Sequence, residues 1–294
     1  MIGYVSGVTR YGDDLALAHV LADTADSIAM ARFRALDLRV TAKPDLSPVS
    51  DADTAVEKAL RGTLARTRPR DGILGEEYGL TAAAAGPSQR QWVIDPIDGT
   101  KNYVRGVPIW ATLISLMEGS EPVVGLVSAP ALGRRWWAAK GLGAYAGKHT
   151  AAATSIRVSG VARLADASFC YSSLYHWEQI GRLDAMLDIM RRTWRSRAYG
   201  DFYGYMLVAE GAVDIMVEPE LSLWDLAALV PIVTEAGGTF TDLTGRPGPG
   251  GGNAVATNGK LHADVLERLG APAGDAGWPA GNSGGPGWPP GMSG

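Results

Sequence analysis

The stretch Trp92-Val93-Ile94-Asp95-Pro96-Ile97-Asp98-Gly99-Thr100-Lys101-Asn102 holds the residues best placed to do chemistry. It begins as a short apolar run, the pattern of a buried strand, and then breaks at a proline and a glycine. Pro96 fixes one backbone torsion between the two aspartates, so the turn is stiff. Such a turn can aim Asp95, the Ile97 carbonyl and Asp98 at one point, and three converging oxygens suit a hard divalent cation such as Mg²⁺. Gly99 and Thr100 follow with backbone N–H groups at the start of a helix or turn, a place that attracts phosphate. Metal-binding acids beside an anion-binding backbone suggest metal-assisted phosphate chemistry. On its own, the fragment reads equally well as a strand ending in an Asp-rich turn.

Further acids stand at similar breaks. Gly72-Ile73-Leu74-Gly75-Glu76-Glu77-Tyr78-Gly79 reads as a short strand ending in paired carboxylates. Asp51 and Asp53 follow the proline-rich loop 43–53, where Ser50 or Asp51 can cap the next helix. Capping and dipole compensation explain Asp53 slightly better than a place near a metal does. Asp225 lies near the start of a later helix, with Glu218 and Glu220 just before it. Carboxylates thus gather at predicted strand ends and helix starts, where α/β sheets build their sites. Brought together without metal they would repel one another.

The elements that must position these groups follow from the apolar pattern. Helices are expected over 13–34, from about 51 to 64, and over 177–193, 202–209, 223–236 and 261–269. Apolar runs split by Gly and Pro between 109 and 158 predict a meander of mostly antiparallel strands, its last strand at 156–158. Strands are also expected at 168–172, 195–199, 213–218, 240–243 and 254–257. Trp136-Trp137 reads as sheet packing and His19 as a packing or surface residue. Residues 1–12 and 80–90 read as loose or loop segments, and 271–294, rich in Gly, Pro and Ser, as a disordered tail. The expected division is an N-terminal subdomain (13–155) with most of the metal ligands, a C-terminal subdomain (156–270) with the substrate-selecting residues, and the tail.

The 294 residues are 46% hydrophobic and 20% charged, ordinary for a globular protein. A net charge of -4 argues against a nucleic-acid partner but not against an anionic substrate, since bound metal reverses the local field. The single cysteine, Cys170, excludes an internal disulfide and reads as a core residue. No apolar run approaches a membrane span, so a cytoplasmic protein is expected.

Three segments taken together resemble the inositol monophosphatase superfamily of Mg²⁺-dependent phosphatases. They are Gly75-Glu76-Glu77, Trp92 through Asn102, and Trp224-Asp225-Leu226-Ala227-Ala228 through Glu235-Ala236-Gly237-Gly238. Arg197-Ala198-Tyr199-Gly200-Asp201-Phe202-Tyr203-Gly204-Tyr205, with Leu207-Val208-Ala209-Glu210-Gly211, is most similar to the bacterial histidinol-phosphate phosphatase branch. The resemblance implies an α/β (α+β) fold, a layered αβαβα sandwich of the inositol monophosphatase / fructose bisphosphatase type, and a homodimer. It places Glu76, Asp95 and the Ile97 carbonyl on a first Mg²⁺, with Asp95, Asp98 and Asp225 on a second. Asp53 would help with a weaker third, the Gly99 and Thr100 N–H groups would hold phosphate, and Asp201 and Glu218 would hold the alcohol part of the substrate.

The expected reaction is hydrolysis of a small-molecule phosphate monoester by in-line attack of an activated water. Glu76 and the Thr100 hydroxyl orient that water, and Asp98 is needed for the chemistry. L-Histidinol phosphate fits two selecting carboxylates through its ammonium and imidazole groups. Inositol monophosphate, fructose bisphosphate or a phosphorylated nucleotide is the alternative within the same chemistry. A non-catalytic regulator of the same fold, binding a protein or RNA, is disfavoured because Glu76, Asp95, Asp98, Thr100 and Asp225 are all present.

Overall fold

The computed structural model describes residues 10–44, 46–84 and 88–270. The expectations for the first nine residues, for 85–87 and for the tail after Gly270 lie outside the described residues. Helix α1 (Gly12–Arg32) leads into a hairpin of β1 (Val40–Ala42) and β2 (Pro48–Ser50), then into α2 (Asp51–Thr67). Next come β3 (Gly72–Gly75), β4 (Gly79–Thr81) and β5 (Arg90–Asp98), with the short helix α3 (Thr100–Val104) leaving β5. The meander is β6 (Ala111–Glu118), β7 (Glu121–Ala129), β8 (Arg134–Ala139), β9 (Ala144–Gly147) and β10 (Thr154–Ser155).

The second half holds β11 (Ser168–Tyr171), α4 (Leu174–Gln179), α5 (Leu183–Arg192), β12 (Arg195–Arg197), α6 (Asp201–Ala209) and β13 (Ile215–Glu218). It closes with α7 (Leu223–Leu226), α8 (Leu229–Glu235), β14 (Thr239–Thr241), β15 (Ala254–Thr257) and α9 (His262–Arg268).

Two large sheets result. The eight-stranded one runs β10-β9-β8-β7-β6-β5-β3-β4 and is antiparallel except for β3 beside β5. The five-stranded one runs β12-β11-β13-β15-β14, with β11 parallel to both its neighbours. Helices α1 and α2 cover one face of the larger sheet, burying Ala18, Leu21, Leu60 and Leu64 against Ile94, Ile114 and Leu126. Helices α6 and α8 lie between the two sheets, with Phe202, Met206, Leu229 and Ile232 among Leu113, Val127, Trp136 and Met216. Helices α4, α5 and α9 cover the far face of the smaller sheet through Trp177, Met186, Ile189 and Val265. The order of layers is αβαβα.

This layering explains the unbroken apolar runs. Strands covered on both faces alternate between two cores rather than between core and water. Trp136 enters the middle core and Trp137 the outer one. Cys170 is likewise buried, facing the middle core from β11.

Several elements differ from the sequence pattern. The helix expected over 177–193 is two, α4 and α5, because the chain turns at Gly181-Arg182. The helix expected over 223–236 is also two, since Ala227-Ala228 interrupt it ahead of α8. The loop 43–53 contains β2, which pairs with β1, and the loop from residue 80 begins inside β4. No strand forms at 156–158; the meander ends at Ser155. These strands of two or three residues carry too few side chains for a periodic signal.

Candidate active site

The cleft is built from strand ends and helix starts. It has a volume of about 480 Å³ and is lined by Glu76, Asp98, Thr100, Asp201, Glu218 and Asp225 among others. β5 contributes the two central aspartates. Residues three apart on a regular strand point to opposite faces. Here Asp95 pairs with Leu113 and Asp98 with Ala111, so three steps on β5 face two on β6. This bulge at Pro96 turns both carboxylates to one side. The Thr112 hydroxyl donates to the Pro96 carbonyl at 2.8 Å and braces the bulge. Gly99, at φ +82, then reverses the chain into α3, where an L side chain would be strained.

Asp225 comes to the same place from α7. Carboxylate oxygens of Asp95, Asp98 and Asp225 lie within 4.8 Å of one another. One Asp225 oxygen accepts from the Ser222 N–H at 2.7 Å, capping α7. Asp53 likewise does two jobs. Its Oδ2 accepts from the Ser50 N–H (2.8 Å) and Oγ (2.6 Å) in the α2 capping box, while Oδ1 accepts from Thr100 Oγ1 at 3.2 Å. Asp53 therefore caps α2 with one oxygen and faces Thr100 with the other. Thr100 Oγ1 also lies 2.9 Å from the Ile97 carbonyl, which places that carbonyl beside the cluster.

Glu76 stands on the β3–β4 turn, and the turn is held from beneath by Glu57 of α2. Glu57 is fully buried. Its carboxylate accepts from the Glu77 N–H (2.7 Å), the Tyr78 N–H (3.2 Å) and Arg61 Nε (2.7 Å). Gly75 makes this possible, since a Cβ there would lie 2.0 Å from Glu57 Oε1. Lys43, from the β1–β2 hairpin, donates to Glu76 Oε1 at 2.7 Å and Glu77 Oε1 at 2.6 Å.

The opposite wall is made by α6 and by the ends of β11 and β13. The Phe202 N–H donates to Asp98 Oδ2 at 2.7 Å, joining α6 to the aspartate pair. Asp201 Oδ2 accepts from Asn102 Nδ2 at 3.1 Å and abuts Gly99. The Ser172 hydroxyl accepts from the Asp201 N–H at 3.1 Å and donates to Glu218 Oε1.

So many carboxylates in one cleft resist ionisation. Burial, then the charges of Glu76, Asp98 and Asp225, holds Asp95 well above the usual range. Burial, then Asp201 and Asp225, does the same to Asp98. Burial first, with neighbouring charge, raises Asp225 to about 7 and Glu218 to about 8. Burial raises Asp53 and Asp201 to about 6, Lys101 opposing the rise at Asp201. A divalent cation among them would relieve both burial and repulsion. The donor set, carboxylates and a carbonyl with no thiol or imidazole in the cluster, fits a hard cation.

All ten residues singled out in the sequence, Asp53, Glu76, Asp95, Ile97, Asp98, Gly99, Thr100, Asp201, Glu218 and Asp225, stand around this cleft or in contact with its walls. Sequence reasoning missed Lys43, Ser172 and Tyr205. Ser172 closes an apolar strand of an α/β sheet, a signal that was available. Tyr205 lies four residues after Asp201 on α6, so it shares a helix face with it. Lys43 gave no signal, because only the hairpin brings it to Glu76.

The sequence pattern described as the Inositol monophosphatase family matches residues 13–271. The chain is 64% identical over 263 residues to the histidinol-phosphatase of Streptomyces coelicolor, covering 88% of this chain and 97% of that one. It is 58% identical to the histidinol-phosphatase of Mycobacterium tuberculosis, covering 88% and 98%. Among solved structures, an inositol monophosphatase from Zymomonas mobilis aligns with a TM-score of 0.77 at 34% identity, covering 89% of this chain and 99% of that one.

Proposed function

The chain belongs to the inositol monophosphatase family, and from that membership we propose that it hydrolyses L-histidinol phosphate to L-histidinol and orthophosphate with Mg²⁺. It is a phosphoric monoester hydrolase. The observation that carries the proposal is the convergence of Asp95, Asp98 and Asp225 beside two further carboxylates, Asp201 and Glu218. The first three suit a cation and the other two a cationic alcohol.

Asp95, Asp98, Asp225, Glu76 and the Ile97 carbonyl would hold the principal Mg²⁺ ions, and Asp53 would help hold a third. Bound Mg²⁺ supplies charge neutralisation at phosphorus and the leaving oxygen, and makes water a better nucleophile. The chain does the rest. Glu76 and the Thr100 hydroxyl orient the attacking water. Thr100 is coupled to Asp53 by the 3.2 Å hydrogen bond. Burial pushes Asp53 up to about 6 in the metal-free cleft, a rise that a bound cation would reverse. The Gly99 and Thr100 N–H groups begin α3 without intrahelical acceptors and are placed to hold phosphate oxygens.

Three broader features complete the proposal. The change of sheet between Ser155 and Ser168 supports subdomains at 13–155 and 156–270, although one core joins them. The edge position of β12 and the exposed Trp194 beside it support a homodimer. A small biosynthetic substrate would place the enzyme in the cytoplasm; among the described residues no helix is long and apolar enough to cross a membrane. The proposal is tested by orthophosphate release from L-histidinol phosphate after chelation and after Mg²⁺ is restored. Turnover should vanish and return. Turnover indifferent to chelator would overturn the metal assignment.

A further inference from the structure

Two buried oxygen atoms in the cleft have no hydrogen-bond partner of good geometry among the described residues. They are Glu218 Oε2 and the Tyr205 hydroxyl. Tyr205 is 1% exposed and Glu218 6%, yet both line the cleft. Leaving such groups unpaired costs about 1–3 kcal/mol each, and more for a charged one. Where such groups line an open cleft, water, an ion or a bound molecule can complete their bonding.

The surroundings fix both atoms in position. The Tyr205 ring stacks on Phe240 with centroids 5.6 Å apart, inside the core between the two sheets. Its hydroxyl sits beside Glu218 at the cleft wall. Glu218 ends β13, and its other oxygen is held by the Ser172 hydroxyl, which also accepts from the Asp201 N–H. Asp201 and Tyr205, at positions i and i+4, share one face of α6. The hydroxyl and the carboxylate lie near enough for a side-chain hydrogen bond between them and for each to shift the other's ionisation, but the geometry of that bond in the free cleft is poor. A group set between them must donate to Glu218 and can also bond the phenol oxygen, which both donates and accepts.

We propose that Tyr205 is a specificity-determining residue, its hydroxyl and the free Glu218 oxygen together receiving a positively charged N–H group of the leaving alcohol. The inference rests on the histidinol phosphate reading above and deepens it. A protonated nitrogen has several donors and no acceptor, so it can satisfy both oxygens and neutralise the carboxylate. A sugar-like hydroxyl can bond both oxygens but leaves that charge unbalanced. The ammonium and the imidazolium of histidinol phosphate share this chemistry.

The test uses Tyr205→Phe, which keeps the ring packing. Its kinetics are measured with L-histidinol phosphate and with glycerol 2-phosphate, which carries no nitrogen. With the hydroxyl gone, KM for L-histidinol phosphate should rise roughly ten- to a hundredfold, the range for a bond to a charged group. kcat, and both constants for glycerol 2-phosphate, should stay within about twofold, as befits binding lost equally from ground and transition states. Affinity for L-histidinol itself, read by calorimetry, should fall with KM. A histidinol phosphate analogue lacking the amino group separates the two nitrogen sources: the Tyr205→Phe penalty disappears with it if the ammonium is bound and persists if the ring is. An unchanged KM, or an equal loss with both phosphate esters, would overturn the role of Tyr205. A wild-type enzyme with no preference for L-histidinol phosphate over glycerol 2-phosphate would instead overturn the substrate reading itself.

Discussion

Glu57 lies outside the cleft, yet the position of Glu76 depends on it. In Glu57→Gln the side chain keeps its shape but one oxygen becomes an NH₂ donor. If the amide oxygen stays toward Arg61 and Tyr78, the NH₂ faces the Glu77 N–H, formerly 2.7 Å from an acceptor. If the amide is flipped, the NH₂ faces Arg61 Nε and the Tyr78 N–H. Either way two donors meet, and Arg61, whose side chain is only 13% exposed, loses its counter-charge. Breaking a buried pair costs about 3–5 kcal/mol. The amide keeps one acceptor, so we expect about 3 kcal/mol. The lost hydrogen bonds belong to the same carboxylate and are not added separately. That is a large part of a typical folding stability of about 5–15 kcal/mol, but it leaves a folded protein. Urea unfolding should show the loss as a lower midpoint with an unchanged slope. Turnover per folded molecule should fall too, because the turn carrying Glu76 is released. A stability loss below about 0.5 kcal/mol with normal turnover would refute the claim that Glu57 holds this turn.

Other perturbations act on the cleft directly. Asp98→Asn should abolish turnover while leaving the metal-free protein at least as stable, since it removes a buried acid from a repulsive cluster; near-normal rates would contradict the metal assignment. In chelated protein, Asp225 and Glu218 sit at about 7 and about 8, above their ordinary values of 3.8 and 4.5. Protons are then bound more tightly in the folded state, so this stability is complete below about pH 4 and is lost as pH rises toward 8. Melting with chelator should therefore drop between pH 5 and pH 8, with Mg²⁺ raising it more at pH 8; a rise with pH under chelator would contradict this. Glu218→Gln should raise the substrate KM more than it weakens Mg²⁺ binding, and an unchanged KM would remove Glu218 from substrate selection.

The sequence made the site more legible than the fold around it. Asp95, Asp98 and Asp225 stood out because carboxylates at strand ends and helix starts need a reason to be there. The long strands β5, β6 and β7 were equally plain, their runs buried on both faces. What stayed hidden depends on contacts distant in the chain. The bulge that turns Asp95 and Asp98 to one side is a matter of pairing with β6, and no local pattern encodes it. Glu57 looks like one more charged position on α2 until Gly75 lets it reach under the β3–β4 turn. The break before α5 falls at Gly181, and the break before α8 falls four residues ahead of Pro231, whose ring and missing N–H cannot continue an unbroken helix; both breakers sit inside apolar helical spacing that masks them. For Asp53, capping and site roles looked like rivals because sequence reading assigns a side chain one task, whereas its two oxygens face different partners.

The central claim is best tested by comparing kcat/KM for L-histidinol phosphate and inositol 1-phosphate side by side, with Mg²⁺ and with chelator. We predict chelator-sensitive turnover strongly favouring L-histidinol phosphate. An equal or greater kcat/KM for inositol 1-phosphate would contradict the assignment of Asp201 and Glu218 to a cationic alcohol.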